Sequence, residues 1–192
     1  MNRWIIIVMS ALLLAGGAYV YSSRSANAEP LEVGAVAPDF ETTGALAGKP
    51  FKVSLSEKLK KGPVVLYFFP KAFTQGCTIE ANMFAEATPD FEAAGATVIG
   101  MSGDSMEELT KFSVEECRDK FAVARADDRV MDGYQVRMEP TLALTNRTSY
   151  VIDQDSKIAL VHSAQDPRGH VKMTLEKVKQ MARARIAAPP EN

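Results

Sequence analysis

Val64–Phe69 most constrains the fold, because six consecutive apolar and aromatic residues stand together there. A run of this kind is typical of a strand that is buried on both faces, with helices covering its sheet above and below. Pro70 ends the run, and apolar residues at helical spacing follow from Cys77 to Gly95. A buried strand that leads into a helix predicts a layered α/β domain.

The rest of the chain predicts further strands and helices around this unit. The short elements are a strand near Phe40, strands Phe51–Leu55, Thr97–Met101 and Phe121–Val123, and a hairpin of Tyr150–Ile152 with Ile158–Val161. A capping box at Ser105 and Glu108 opens one helix, Asp166-Pro167 opens the last, and Thr88-Pro89 predicts a kink or a new helical start. We therefore expect one domain over residues 29–186, with a central mixed β-sheet flanked by helices. This order suits the thioredoxin-like fold, although periodicity alone leaves other α/β sandwiches open.

Residues 1–28 are predicted to be a signal peptide or a membrane anchor. Arg3 provides a positive start, residues 4–21 are almost continuously apolar, and Ala26-x-Ala28 has the small residues that a signal peptidase accepts. An apolar stretch of this length also nearly spans a bilayer, so an uncleaved anchor stays open, and only these residues would contact a membrane. In either case we expect a periplasmic or secreted domain, which ends in a flexible tail over residues 187–192.

Charge and residue counts exclude some functions and leave others open. The chain has 22 basic and 24 acidic residues and a net charge of −2, which argues against a nucleic-acid partner. Its two histidines, His162 and His170, lack a metal-binding spacing, so surface or structural roles are expected. Its two cysteines, Cys77 and Cys117, would ordinarily pair as a structural disulfide in an exported protein.

Cys77 has a second interpretation, because it stands where a loop enters a helix. The free backbone amides and the dipole at a helix N-terminus favour an anion, which pushes a thiol toward the thiolate. A mostly ionised thiol at neutral pH needs about 3.4 kcal/mol more stabilisation than an unperturbed cysteine has. A helix terminus provides about 0.5–2 kcal/mol. A hydroxyl donor, which Thr74 can place, and a cation from elsewhere in the chain would have to provide the rest.

The residues around Cys77 resemble a known active site. Pro70, Thr74 and Cys77 form Pro-x-x-x-Thr-x-x-Cys, which is similar to the motif of peroxiredoxins, and the longer run to Glu80 most resembles the bacterioferritin-comigratory or peroxiredoxin Q branch. Three more segments match the family in order: residues 33–40, 98–105 and 147–153. The resemblance spans about residues 31 to 183.

This resemblance implies a thiol-dependent peroxidase that reduces hydrogen peroxide or small alkyl hydroperoxides without a metal or another cofactor. Cys77 would attack the peroxide and become a sulfenic acid, while Thr74 and the Cys77 amide hold the peroxide oxygens. Arg147 would stabilise the thiolate and the leaving oxygen. Pro70 would shield the sulfur from water, and Glu80 would orient an arginine. A thiol, either a small molecule or a thioredoxin-like protein, would act as reductant.

The fate of the sulfenic acid stays open. Many relatives carry a resolving cysteine five residues after the first, where this chain has Asn82. Cys117, at the end of the helix that begins near Ser105, is a candidate resolving residue, because some relatives place one on that helix. It could instead be a buried small hydrophobic residue or pair with another molecule. A bond between Cys77 and Cys117 would require local unfolding.

Other functions of a thioredoxin-like fold fit the sequence less well. A thiol–disulfide oxidoreductase needs Cys-x-x-Cys, and Cys77 is followed instead by Thr78-Ile79-Glu80. A copper-delivery protein would need paired cysteines and a histidine nearby. A non-catalytic protein of this fold is the last alternative, and the presence of Pro70, Thr74, Cys77 and Arg147 together argues against it.

Overall fold

Strands β3 (Val64–Phe68) and β4 (Thr97–Ser102) lie in the middle of a seven-stranded sheet in the computed structural model, which describes residues 29–187. The other strands are β1 (Glu41–Leu46), β2 (Lys49–Ser54), β5 (Ala122–Arg125), β6 (Thr148–Ile152) and β7 (Ile158–Ser163). Their order is β2-β1-β5-β4-β3-β6-β7. Strands β3, β4 and β5 run parallel, whereas β6 is antiparallel to β3 and β1 is antiparallel to β5. The predicted mixed sheet is therefore confirmed.

Five helices cover the two faces of this sheet within the described residues. They are α1 (Leu55–Leu59), α2 (Gln75–Ala93), α3 (Met106–Glu115), α4 (Asp128–Gly133) and α5 (Arg168–Ala187). Helices α2, α3 and α5 contribute to one hydrophobic core, and α1 and α4 contribute to the other. Alternate residues of β3 point into the two cores, with Tyr67 on the first side and Phe68 on the second. All five residues of β3 are fully buried, as the apolar run predicts.

Helix α2 is continuous through Pro89, which corrects the expected new helical start. A proline inside a helix leaves one carbonyl of the preceding turn without its usual donor. The Thr88 hydroxyl donates to the Phe84 carbonyl at 2.9 Å, which gives that turn an additional hydrogen bond. The packing of this helix on the sheet outweighs the local cost of the proline.

Gly95 ends α2, as predicted. Its φ of +76° is in the left-handed region that favours glycine. The Gly95 amide donates to the Glu92 carbonyl at 2.8 Å, and the Ala96 amide donates to the Phe91 carbonyl at 2.9 Å. This pair of bonds is the Schellman motif, and it turns the chain directly into β4.

The remaining predictions are mostly confirmed, with corrections at short elements. The capping box of Ser105 and Glu108 opens α3, and the predicted hairpin is the β6–β7 pair. Leu55 belongs to α1 rather than to a strand, because the Ser54 hydroxyl caps a helix there. The strand expected near Phe40 begins at Glu41, and α4 was not predicted.

Two of the predicted segments lie largely outside the described residues. The signal peptide or anchor over residues 1–28 is one of them. Of the tail expected over residues 187–192, only Ala187 is described, and it is the last residue of α5. Among residues 29–187, no helix is both long enough and apolar enough to cross a membrane.

Gly100 in β4 provides a test of how tightly the sheet packs against α2. A Cβ atom added at Gly100 would lie 2.8 Å from the ring of Tyr67, which is fully buried and stacks on Phe84 of α2 at 4.3 Å. Gly100→Ala should therefore lower the free energy of unfolding by about 1–3 kcal/mol, measured by urea denaturation.

Gly133→Ala is the matched control for this measurement. Its added Cβ would meet only Pro38, at 3.4 Å, and Gly133 is the last residue of α4, where alanine is accepted, so stability should change by less than about 1 kcal/mol. Equal losses from the two substitutions would contradict the packing argument.

Candidate active site

Cys77 is the third residue of α2 and is buried, with 1% of its surface exposed. Thr74 is the N-cap, and its side chain makes no capping bond to the helix. The first backbone N–H groups of a helix have no carbonyl partner within it, so those near Cys77 stay available to an anion. The sulfur therefore lies at the positive end of a helix of 19 residues.

The loop between β3 and α2 is held in place by Asp104, which follows β4. The Ala72 amide donates to Asp104 Oδ2 at 2.6 Å, and Ser102 Oγ donates to the same oxygen at 2.8 Å. The Lys71 ammonium donates to Asp104 Oδ1. Asp104 is itself buried, so these bonds fix the loop rigidly against the carboxyl end of the sheet. The sequence indicated Asp104 only as part of a matching segment.

Thr74 has a different contact from the one expected. Its hydroxyl donates to the Lys71 carbonyl at 2.9 Å instead of to the sulfur of Cys77. The hydroxyl oxygen keeps free lone pairs and the residue is exposed, so this oxygen can accept a hydrogen bond from an approaching O–H group. Pro70 is half-buried at the start of the same loop, and its shielding of the sulfur stays a prediction.

Arg147 reaches Cys77 because of the pairing between β3 and β6. Phe68, the last residue of β3, pairs with Thr148, the first residue of β6. Arg147 precedes Thr148, so this antiparallel register brings it to the edge of the sheet where the loop to α2 begins. Arg147 Nη2 donates to Cys77 Sγ at 3.3 Å, across 70 residues of sequence.

The same guanidinium also bonds to Glu80, one turn after Cys77 on α2. Arg147 Nη1 donates to Glu80 Oε2, and the two side chains are 6% and 0% exposed. Burial raises the pKa of Glu80 to about 8, against the opposing effect of Arg147. Burial also disfavours the charge on Arg147, but Glu80 and Cys77 outweigh it and raise the pKa of the guanidinium. A permanent positive charge therefore lies against the sulfur.

The model of the AhpC/TSA family matches residues 33–161, which is more than half of the chain.

The chain belongs to the AhpC/TSA family.

Several similar proteins of this family carry peroxiredoxin names. The chain is 34% identical over 135 residues to the chloroplastic peroxiredoxin Q of Sedum lineare, covering 70% of this chain and 71% of that protein. It is 29% identical over 158 residues to peroxiredoxin Bcp of Escherichia coli K12, covering 80% and 99%. The crystal structure of the peroxidoxin BcpB from Mycobacterium tuberculosis superposes with a TM-score of 0.71 at 30% identity, covering 79% and 98%. The thioredoxin-like fold is therefore confirmed, and the chain is a thiol-dependent peroxidase of the peroxiredoxin type.

Cys117 and Cys77 lie on different elements of this AhpC/TSA family member, although both contribute to the same hydrophobic core. It follows the end of α3, is fully buried, and is a free thiol, as Cys77 is. Burial, with Glu116 and Asp119 nearby, raises the pKa of Cys117 well above its usual range. The next two residues, Arg118 and Asp119, both have left-handed φ angles, of 50° and 59°. Because both thiols are free, no disulfide joins Cys77 and Cys117 in this structure. The role of Cys117 stays a prediction.

His170 is the residue near the site that the sequence reasoning missed. It is fully buried on α5, and its Nδ1 lies 3.7 Å from Glu80 Oε1. The available signal was its spacing, because His170, Thr174 and Val178 are four residues apart and share the buried face of the helix. No cluster of three or more side chains suited to a metal occurs among residues 29–187.

Proposed function

We propose that this protein reduces hydrogen peroxide or small alkyl hydroperoxides by attack of the Cys77 thiolate, as antioxidant defence outside the cytoplasm. The observation that carries the proposal is the Arg147 guanidinium, which donates at once to Cys77 Sγ and to Glu80 at the N-terminus of α2. A thiolate at this position meets a fixed cation and free backbone amides, and both favour its negative charge.

The reaction follows from these groups. Cys77 Sγ attacks one peroxide oxygen, the S–O bond forms, and the O–O bond breaks. Negative charge moves from the sulfur to the leaving oxygen, which takes up a proton and departs as water or an alcohol. Arg147 stabilises the charge at both positions, and the Thr74 hydroxyl oxygen accepts a hydrogen bond from the peroxide O–H. The product on the enzyme is the Cys77 sulfenic acid.

Turnover needs a thiol to reduce that sulfenic acid. The attacking thiol releases water and forms a disulfide with Cys77, which a second thiol then reduces. We propose a thioredoxin-like protein or a small thiol as the external reductant.

Replacing the attacking sulfur tests the proposal directly. Cys77→Ser should lower peroxide consumption by roughly 10³-fold or more with dithiothreitol as reductant, because a serine hydroxyl at this site stays protonated. Peroxide is followed by a dye-based assay, and circular dichroism checks that the variant folds. Cys117→Ala is the matched control in a single turnover, because the attack of Cys77 on peroxide does not involve Cys117. Wild-type rates in Cys77→Ser would overturn the proposal.

We also propose that Cys117 resolves the sulfenic acid within the same molecule. Two observations support this role. Cys117 is the only other cysteine of the chain, and the two residues that follow it have left-handed φ angles. Such residues sit in an unfavourable backbone conformation, and this makes the turn a place where local opening can begin.

Intact mass spectrometry after one equivalent of peroxide tests this role of Cys117. The wild type should lose two hydrogens as the Cys77–Cys117 disulfide forms, and Cys117→Ala should instead gain one oxygen. A loss of two hydrogens that persists in Cys117→Ala would exclude Cys117 as the partner, and a stable sulfenic acid in the wild type would favour an external thiol.

The proposed location outside the cytoplasm rests on residues 1–28, with their apolar run 4–21 and the Ala26-x-Ala28 site. Expression in a Gram-negative host followed by fractionation and N-terminal sequencing tests it. A soluble periplasmic protein that begins at Glu29 is the expected result, and an intact chain in the membrane fraction would indicate the anchor. Intact protein in the cytoplasm would contradict export.

A further inference from the structure

The turn that contains Cys117 is strained and is held closed by its neighbours. Cys117 directly follows Glu116, the C-cap of α3, and its side chain is fully buried. Arg118 and Asp119 come next with φ angles of 50° and 59°, in the left-handed region that L side chains rarely adopt. Two such residues in succession persist only where the surrounding contacts favour the turn over more relaxed conformations. The contacts that hold this turn therefore control how often Cys117 is exposed.

Asn82 of α2 makes one of these contacts, with Glu116. Asn82 Nδ2 donates to Glu116 Oε2 at 3.0 Å and to the Thr78 carbonyl, one turn earlier on α2, at 2.8 Å. A carboxylate and a carbonyl only accept, so both amide hydrogens are used and the orientation of the amide is settled. The bond to Thr78 fixes the direction of the side chain. The bond to Glu116 joins α2 to the residue before Cys117, across 34 residues of sequence.

A second contact reaches the same turn from the next turn of α2. Arg118 Nη1 donates to Glu86 Oε1 at 3.3 Å, but the two side chains are 49% and 68% exposed. Ion pairs at such exposed positions contribute little, because salt screens them and two long side chains lose freedom. Asn82 and Glu116 are half-buried, so their hydrogen bond to a charged acceptor is the stronger of the two contacts.

We infer that Asn82 is a positioning residue whose hydrogen bond to Glu116 keeps the turn of Cys117 closed and thereby sets how fast Cys117 resolves the Cys77 sulfenic acid. This inference deepens the proposed function and rests on the proposed role of Cys117. In the resolving step the two sulfurs bond and the S–O bond of the sulfenic acid breaks. The Cys117 thiol proton leaves with the hydroxyl group as water. Because Cys117 is fully buried, opening of its turn precedes this step.

The contact between Asn82 and Glu116 also influences which of two products the sulfenic acid gives. While the turn is closed, a second peroxide can oxidise the Cys77 sulfenic acid to a sulfinic acid, which thiols do not reduce. Once the turn is open, Cys117 forms a disulfide with Cys77, which thiols do reduce. A stronger contact therefore favours over-oxidation, and a weaker contact favours turnover.

Asn82→Ala tests the inference, because it removes the donor to Glu116. The readout is alkylation of Cys117 by excess N-ethylmaleimide in the reduced protein, which needs no peroxide. A buried thiol reacts only from the open turn, so the rate measures how often the turn is open. Trypsin places Cys77 in residues 72–111 and Cys117 in residues 112–118, so mass spectrometry follows each thiol separately. The alkylation rate of Cys117 should rise about fivefold, and that of Cys77 by less than about twofold.

Two further variants distinguish a hydrogen bond from a packing effect. Asn82→Asp places a second carboxylate against Glu116, so the Cys117 alkylation rate should exceed that of Asn82→Ala and should fall with added salt, which screens the repulsion. Adding Glu116→Gln to it should return the rate to within about twofold of the wild type, because the glutamine amide then donates to the aspartate. Glu86→Ala is the matched control on the same helix. Loss of its exposed contact with Arg118 should change the rate by less than about twofold.

Intact mass spectrometry after one equivalent of peroxide connects the contact to the resolving step. The Cys77–Cys117 disulfide should form about fivefold faster in Asn82→Ala than in the wild type, because the same opening precedes alkylation and resolution. Under excess peroxide, the yield of Cys77 sulfinic acid in Asn82→Ala should fall.

The two readouts separate the inference from the proposed function. A wild-type alkylation rate of Cys117 in Asn82→Ala, or an equal rise for both thiols, would show that Asn82 does not restrain this turn. A disulfide rate that stays at the wild-type value while the alkylation rate rises would overturn the link to resolution. If the wild type forms no Cys77–Cys117 disulfide, the proposed role of Cys117 fails instead, whatever the alkylation rates are.

Discussion

The bridge that Arg147 makes between Cys77 and Glu80 is the interaction on which the site depends. A mostly ionised cysteine needs about 3.4 kcal/mol more stabilisation than an unperturbed one. A helix terminus contributes about 0.5–2 kcal/mol and a charge-assisted bond about 1.5–3 kcal/mol, so holding a thiolate would take both kinds of contact. The guanidinium supplies that bond, and Glu80 keeps its planar fork aimed at the sulfur.

The surrounding secondary structure holds the three side chains of this bridge in position. The three side chains belong to α2 and to the residue before β6, and β3 contacts both elements directly through strand pairing and packing. Asp104 fixes the loop that starts α2, and the stacked rings of Tyr67 and Phe84 set the distance of that helix from the sheet. The Cys77 sulfur is thus held by regular secondary structure.

Features with a local cause could be predicted from the sequence. The apolar run of β3, the glycine at the end of α2 and the capping box of α3 act over a few residues, and the structure contains each of them. The direction of the Thr74 hydroxyl could not be predicted, because the Lys71 carbonyl competes for it only in the folded loop. The new helical start expected at Pro89 is wrong, because the packing of a long helix outweighs one missing bond.

The polar groups of the site lie far apart in the sequence, so patterns within short segments cannot show that they contact one another. Only the family resemblance predicts the role of Arg147, because the residues next to it in the sequence do not indicate a contact with a cysteine 70 residues earlier. His170 has the structural role that its lack of a metal-binding spacing predicts, but its position beside Glu80 could not be predicted because the two residues lie on different helices. The burial of His170 follows from the packing of α5 across the sheet, which only the assembled fold reveals.

The register between β3 and β6 has a consequence for the life of the chain before it is folded. Arg147 arrives at the sulfur only when Phe68 and Thr148 become neighbours, so in a nascent or unfolded chain Cys77 is an ordinary, mostly protonated thiol. The contact between Arg147 and Cys77 is acquired together with the native sheet. Any event that separates β6 from β3 therefore takes the guanidinium away from the sulfur.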